Sequence, residues 1–267
     1  MQWFDVGVNL LDRRFTALDV INRGSQQSVK QMCVISSTLE ESLAAQKLVS
    51  KHNKSAGYQQ LVFTAGVHPH NADGFSDDFI PQLHQLSSDA NMVAFGECGL
   101  DFNRNFSTKE NQLKAFEAQL NCAADLKKPV YLHERDAFED QIRLLKKYLP
   151  SIPNAIVHCF TGSKAQMEAY LELGCYIGIT GWVCDDKRGS DLQEAVKSLP
   201  LERLLLETDA PYLFPKNMKP RAKNNEPCFL PHVAEKVASL KGLEIKKLAN
   251  ASVENAQRVF GQLVTYD

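Results

Sequence analysis

The stretch Met92-Val-Ala-Phe-Gly-Glu-Cys-Gly-Leu-Asp-Phe-Asn103 opens as an apolar run of strand type and then delivers a carboxylate, Glu97, with glycines on either side. Burying an unpaired carboxylate costs far more than one strand residue gains. Glu97 therefore needs a partner of opposite charge or an exit to solvent. Other apolar runs favour the partner, because several of them end in the same way. Trp3–Val8 ends at Asn9, Gln31–Ser36 stands second, and Leu61–Val67 leads into His68-Pro69-His70. Met92–Gly96 leads into Glu97, Pro129–Leu132 into His133 and Ala155–Val157 into His158. Cys175–Ile179 is seventh, and Arg203–Leu206 leads into Glu207-Thr208-Asp209. The runs are apolar and β-branched rather than alternating, the pattern of strands covered on both faces.

Stretches of helical period lie between them. Thr38/Glu41, Ser107/Glu110, Ser163/Gln166 and Ser190/Gln193 each set a hydroxyl three residues before Glu or Gln, the pattern of a capping box, just after a strand. Leu113–Leu126 and Gln141–Leu149 carry apolar residues at three-to-four spacing. Leu230–Leu263 adds two helices with Gly242 as the stop between them, and Asn217–Pro227 reads as a loop. Eight strands alternating with helices predict an α/β fold: a single (β/α)8 TIM barrel with extra C-terminal helices, one domain over residues 1–267. A doubly wound open sheet is the alternative, but no glycine-rich phosphate fingerprint follows the first strand.

A chain of 267 residues, 44% hydrophobic, has the size and core for one such barrel. Its net charge of −2 gives no global attraction to nucleic acid, so any polyanion site must be local. Met1-Gln-Trp-Phe-Asp5 has no basic n-region and no apolar run reaches membrane-spanning length, so neither a signal peptide nor a span is expected. Seven cysteines without a Cys-x-x-Cys pair predict reduced thiols and a cytoplasmic protein. A monomer is expected.

In a barrel of this kind the C-terminal strand ends face one mouth. Glu97, His133, His158 and Asp209 would meet there, beside His68 and His70; four of the chain's seven histidines then share one region. Two imidazoles and two carboxylates are mixed N/O ligands for a divalent metal. Taken singly, His133 or His158 reads more readily as a hydrogen-bonded core residue than as a ligand, while Asp209 reads equally as the cap of a turn and His70 equally as a loop residue. Together they read as a metal centre, where a cation polarises a phosphoryl or carbonyl oxygen. Asp209 is then the base or a further ligand, and Glu97 the bridge if two metals bind. The loops beyond the strands carry Arg104, Arg135, Lys164, Lys187, Arg188, Lys216, Lys219, Arg221 and Lys223. Phe102, Phe106, Phe160, Trp182, Tyr212 and Phe214 lie among them. Cations with interleaved rings suit single-stranded nucleic acid, against the plainer reading that loops are charged and solvated anyway.

Gly66-Val-His-Pro-His70, Gly96-Glu-Cys-Gly-Leu-Asp101, Pro129-Val-Tyr-Leu-His133, His158-Cys-Phe-Thr-Gly162 and Glu207-Thr-Asp-Ala-Pro211 together resemble the signature blocks of the TatD-family metal-dependent deoxyribonucleases. The likeness runs from Phe4 to about Phe260. It implies an amidohydrolase-like TIM barrel that hydrolyses phosphodiesters, with Glu97, His133 and His158 as metal ligands. It implies Asp209 as ligand or general base, and His68 as a residue lining the site against phosphate; His70, Arg104 and Arg135 join it as expected substrate contacts. Most relatives begin with His-x-His on strand one, where this chain has Asp5-Val-Gly-Val-Asn9. That departure resembles one branch of the family, described as magnesium-dependent 3′–5′ exonucleases of single strands, cytoplasmic and linked to DNA repair. Trp182-Val-Cys-Asp185 and Asp101-Phe-Asn-Arg-Asn-Phe106 strengthen that likeness. Without the two histidines a second ion keeps little beyond Glu97, Asp209 and the Asn9 amide oxygen, which suits loosely held magnesium; manganese and zinc are the alternatives. The substrate is expected to be single-stranded DNA or RNA. A metal-dependent amidohydrolase of a small cyclic amide or ester is the rival enzyme reading, although such enzymes often bridge their metals with a lysine where this chain has Glu97. A barrel that has lost catalysis and only binds a partner is the third.

Overall fold

The eight apolar runs form eight parallel strands, hydrogen-bonded in chain order. The computed structural model describes residues 1–55, 60–76 and 78–261. The strands are β1 (Trp3–Val8), β2 (Val29–Val34), β3 (Gln60–Ala65), β4 (Met92–Asp101), β5 (Val130–Arg135), β6 (Ala155–Val157), β7 (Tyr176–Ile179) and β8 (Leu204–Leu206). The helices are α1 (Ala17–Gln26), α2 (Leu39–Ser55), α3 (Phe79–Leu86), α4 (Lys109–Leu126), α5 (Phe138–Tyr148), α6 (Lys164–Glu172), α7 (Ser190–Ser198), α8 (Leu230–Lys241) and α9 (Ile245–Phe260). One or more helices follow each strand, as a (β/α)8 barrel requires. No helix among the described residues is long and apolar enough to cross a membrane.

Two cores hold the layers together. One lies between sheet and helices and takes Trp3, Phe63, Phe95, Leu132 and Leu206. The other fills the barrel interior with Phe4, Val6, Ile35, Val62, Tyr131 and Leu205. The end of α9 joins the interior cluster: Phe260 packs its ring 5.7 Å from that of Phe4.

The barrel seam lies between β1 and the segment after β8. Val8 pairs with Ala210 in a parallel bridge, and the Asp209 N–H donates to the Gly7 carbonyl at 2.9 Å. Asp5 reinforces it, accepting from the Thr208 N–H at 2.9 Å and the Thr208 hydroxyl at 2.6 Å.

Local details differ from the sequence reading in three instructive ways. Strand β4 does not stop at Gly96 but runs on to Asp101, so Glu97 sits in its middle. Strand β5 likewise includes His133. Both strands tolerate polar residues because they continue into the mouth, where those side chains find partners. Of the four capping boxes only Ser163/Gln166 is complete. Thr38 accepts from the Glu41 N–H at 3.1 Å, but Glu41 turns back to Ser37. At α4 the cap is Thr108, because the Ser107 hydroxyl is engaged with the His70 carbonyl and the Asp73 N–H. Ser190 begins α7 with no side-chain cap. Gly242 closes α8 in the left-handed conformation at φ 62°. The part of the C-terminal tail beyond residue 261 lies outside the described residues.

Burial raises the Asp5 carboxyl to about 7, despite the Thr208 and Gly7 donors that favour the charged form. A folded-state value above the unfolded one means that folding takes up a proton between roughly pH 4 and 7. The stabilisation is therefore complete below the unfolded value of about 4 and is lost as pH rises through 7. Thermal melting is expected to show stability falling between about pH 4 and pH 7, and Asp5→Asn to flatten that slope. An unchanged slope in the variant would show that Asp5 ionises freely in the fold.

Candidate metal centre

Glu97 and His133 meet because β4 and β5 pair in parallel, with two glycines of β4 in a backbone conformation that would aim a side chain straight at β5. A Cβ on Gly96 would run into the Tyr131 carbonyl, and one on Gly99, at φ +139°, into the His133 carbonyl. Only glycine allows this approach at a positive φ. In register, Gly99 pairs with His133. His158 follows β6 directly, and His68 lies three residues beyond β3.

One oxygen collects these side chains. Glu97 Oε1 stands 3.0 Å from His158 Nε2, 3.4 Å from His133 Nδ1 and 3.4 Å from His68 Nε2. Ligand atoms of His68, Glu97 and His133 lie within 4.8 Å of one another. The outer ring nitrogens sort the three histidines into two kinds. His133 Nε2 faces Asp101 Oδ2 at 3.3 Å, and His158 Nδ1 faces Glu207 Oε2 at 3.3 Å. Each outer N–H donates to a carboxylate, so the inner nitrogen, whose proton is shared with Glu97 in the metal-free site, is the one each ring would offer a cation once that proton leaves. His68 is the reverse: its Nδ1 accepts the His70 N–H at 3.0 Å, so in the neutral ring Nε2 must carry the proton. His68 therefore points a donor inward. Among the described residues the compact group is His68, Glu97 and His133; the expected ligand His158 stands 3.0 Å from Glu97 Oε1 but outside that group, and Glu97, His133 and His158 are the donor set that could hold a divalent cation.

The electrostatics follow this division. Burial lowers His68 to about 3, overriding the attraction of Glu97, so it stays neutral. Burial opposes charge on His158 too, but Glu97 and Glu207 on either side raise it well above the usual imidazole range. Burial alone would raise Glu97, but the charge on His158 and the His133 and His158 hydrogen bonds hold it well below its ordinary value. Asp209 is raised to about 7, chiefly by burial, although the residue keeps some solvent access. The Asn9 amide donates to Asp209 Oδ1 at 3.0 Å and to the Ala210 carbonyl at 3.2 Å. That donor faces Asp209, so the Asn9 side chain orients the carboxylate rather than turning its own oxygen to the same point.

Two carboxylates have roles that reading the chain missed. Asp101 gathers His70 Nε2 at 2.7 Å and His133 on one oxygen, and the Asn103 and Arg104 N–H groups on the other. Burial would raise it, but the His133, Arg104 and His70 donors hold it well below the usual range. Asp101 lies four residues after Glu97, on the same face of β4, and that parity was a readable signal. Glu207 is fully buried, accepting from the Tyr131 hydroxyl at 2.5 Å and from the Cys159 N–H. Gly7 and Gly178 make room for it, since a Cβ on either would press on the carboxylate.

Of the other expected residues, His70 stands edge-on to Phe106 at 4.8 Å. Arg104 is exposed, 5.9 Å from the Phe106 ring centre. Arg135 lines a groove of about 670 Å³ that begins at His158 and extends past Phe160 and Trp182. The groove is not predominantly cationic: Glu134, Asp136, Glu139, Asp140 and Asp191 line it against Arg135 and Arg188.

A barrel that gathers imidazole and carboxylate at its C-terminal mouth has the architecture of a metal-dependent hydrolase. The family model "TatD related DNase" matches residues 4–261, and the chain belongs to that family. It is 48% identical over 261 residues to the 3′-5′ ssDNA/RNA exonuclease TatD of Yersinia pseudotuberculosis, covering 96% of this chain and 98% of that one. A hydrolase TatD family protein from Entamoeba histolytica superposes with a TM-score of 0.88 at 25% identity, over 98% of this chain and 99% of the other. A TatD homologue from Escherichia coli gives 0.86 at 28% identity, over 97% of each chain.

Loss of the outer partner of a ligating histidine typically weakens metal binding about ten- to a hundredfold. Asp101→Asn is expected to do so in a calorimetric titration of divalent cation while the melting temperature changes little. Equal affinity in the variant would mean that Asp101 does not set His133.

Proposed function

We propose that this protein is a divalent-metal-dependent exonuclease that removes nucleotides from the 3′ end of single-stranded DNA or RNA. The observation that carries the reading is the convergence of three imidazoles on Glu97 Oε1 within 3.4 Å, in a chain of this family. In this reading Glu97, His133 and His158 hold the cation. When bound, it supplies Lewis acidity towards a phosphoryl oxygen and makes water acidic enough to react near neutral pH. The His68 Nε2–H donates to a non-bridging phosphate oxygen, stabilising charge as it develops. Asp209, kept near 7 and oriented by Asn9, takes the proton of the attacking water or adds a ligand. Arg104, Arg135 and His70 are the outer contacts to substrate. Magnesium is the expected ion, with manganese or zinc able to use the same imidazoles. A second ion, left with Glu97 and Asp209, binds weakly or arrives with substrate. Action as a monomer in the cytoplasm, trimming strand ends during DNA repair, completes the reading.

Purified protein is expected to degrade a labelled single strand only with magnesium, and Asp209→Asn to reduce the rate by at least about a hundredfold, the lower range of general-base catalysis. Glu97→Gln is expected to abolish both cleavage and metal binding. Full activity in chelator, or in Asp209→Asn, would sink the proposal. Calorimetry without nucleic acid should show one tight site; two tight sites would refute the weak second ion.

A further inference from the structure

The loop after β7 is built around a buried carboxylate. Asp185 accepts from the Lys187 and Arg188 N–H groups at 3.2 and 3.3 Å and from Arg188 Nε at 2.7 Å. Lys216, from the loop after β8, stands 2.6 Å from the same Oδ2. The Arg188 guanidinium lies 4.5 Å from the ring centre of Trp182. Its edge is thus tied to Asp185 and one face is backed by the indole, yet the side chain remains 61% exposed. An arginine that merely solvates a loop keeps its rotamers free; this one is held by Asp185 and lies over Trp182 while most of its side chain stays exposed. Both Arg188 and Trp182 line the groove that begins at His158.

We propose that the outer face of Arg188, backed by Trp182 and fixed by Asp185, is a stacking platform for one nucleobase of the single strand. This rests on the exonuclease reading and specifies how that enzyme holds its substrate. Bases stack on guanidinium planes as they do on aromatic rings. A phosphate contact fits less well. Asp185 already takes the Arg188 Nε–H, and the five carboxylates of the groove repel a polyanion while leaving uncharged bases unopposed. The groove takes bases, and the phosphates run outside it.

The test is steady-state kinetics with magnesium on a short single strand and on strands carrying one abasic residue, stepped inward from the 3′ end. At one position the missing base is expected to raise the wild-type KM roughly five- to a hundredfold, the range that stacking one base supplies, with kcat little changed. Arg188→Ala should raise KM on the intact strand by a similar factor and erase the penalty at that position alone. Arg188→Lys, which keeps the charge but not the plane, should behave as Arg188→Ala does. Wild-type KM in Arg188→Lys, or an equal loss on every strand in Arg188→Ala, marks a phosphate contact or a collapsed loop and overturns the platform. Absence of any position-specific penalty overturns it too. A wild type that degrades no strand overturns the exonuclease reading and this one together; active enzyme indifferent to Arg188→Ala overturns this one only.

Discussion

A carboxylate buried in the middle of a parallel strand is the constraint around which the rest of this barrel is arranged. Glu97 keeps only 7% of its surface exposed, so the mouth must supply positive charge or donors at short range. The fold meets the requirement by pairing β4 with β5, where two glycines leave room for the neighbouring backbone, and by placing a histidine directly after β6. The cost of isolating the charge makes the arrangement collective. Removing any one imidazole leaves the same buried oxygen under-compensated.

The surrounding polar shell then decides what each histidine can do. Asp101 and Glu207 occupy the outer nitrogens of His133 and His158, so the nitrogen each would give a cation is the inner one, now shared with Glu97. A backbone N–H at the outer nitrogen of His68 does the opposite. Three rings at comparable distances from one oxygen thereby divide into two electron-pair donors and one hydrogen-bond donor. Distance alone would have grouped them, whereas the identity of their partners separates them.

Much of this was legible in the chain. β1 and β6 fall where the apolar runs place them, because those strands are buried on both faces and bounded by polar turns. Glu97, His133 and His158 stood out because each is a polar group against an apolar run. The continuation of β4 and β5 was not legible, since Cys98-Gly-Leu-Asp101 and His133-Glu-Arg135 have no strand pattern until the neighbouring strand pairs with them. α1 and α3 also escaped notice: α1 contains a glycine and α3 is only eight residues long with a proline inside. Asp101 and Glu207 gain their meaning from partners tens of residues away. The acidity of the groove comes mostly from one stretch, Glu134–Asp140, which supplies four of its five carboxylates; Asp191 from α7 adds the fifth, and only the fold shows that the stretch lines the groove.

The contact between Phe4 and Phe260 has a consequence for how the chain matures. The first strand and the last described turn of α9 share one interior cluster, so the hydrophobic centre stays incomplete until residue 260 has emerged from the ribosome. During synthesis the earlier β/α units must wait with their inner faces partly wet. In that interval the exposed strand edges invite mispairing or capture by chaperones. A premature stop before α9 would therefore leave a chain that carries every proposed ligand but has no sealed interior to hold them in place.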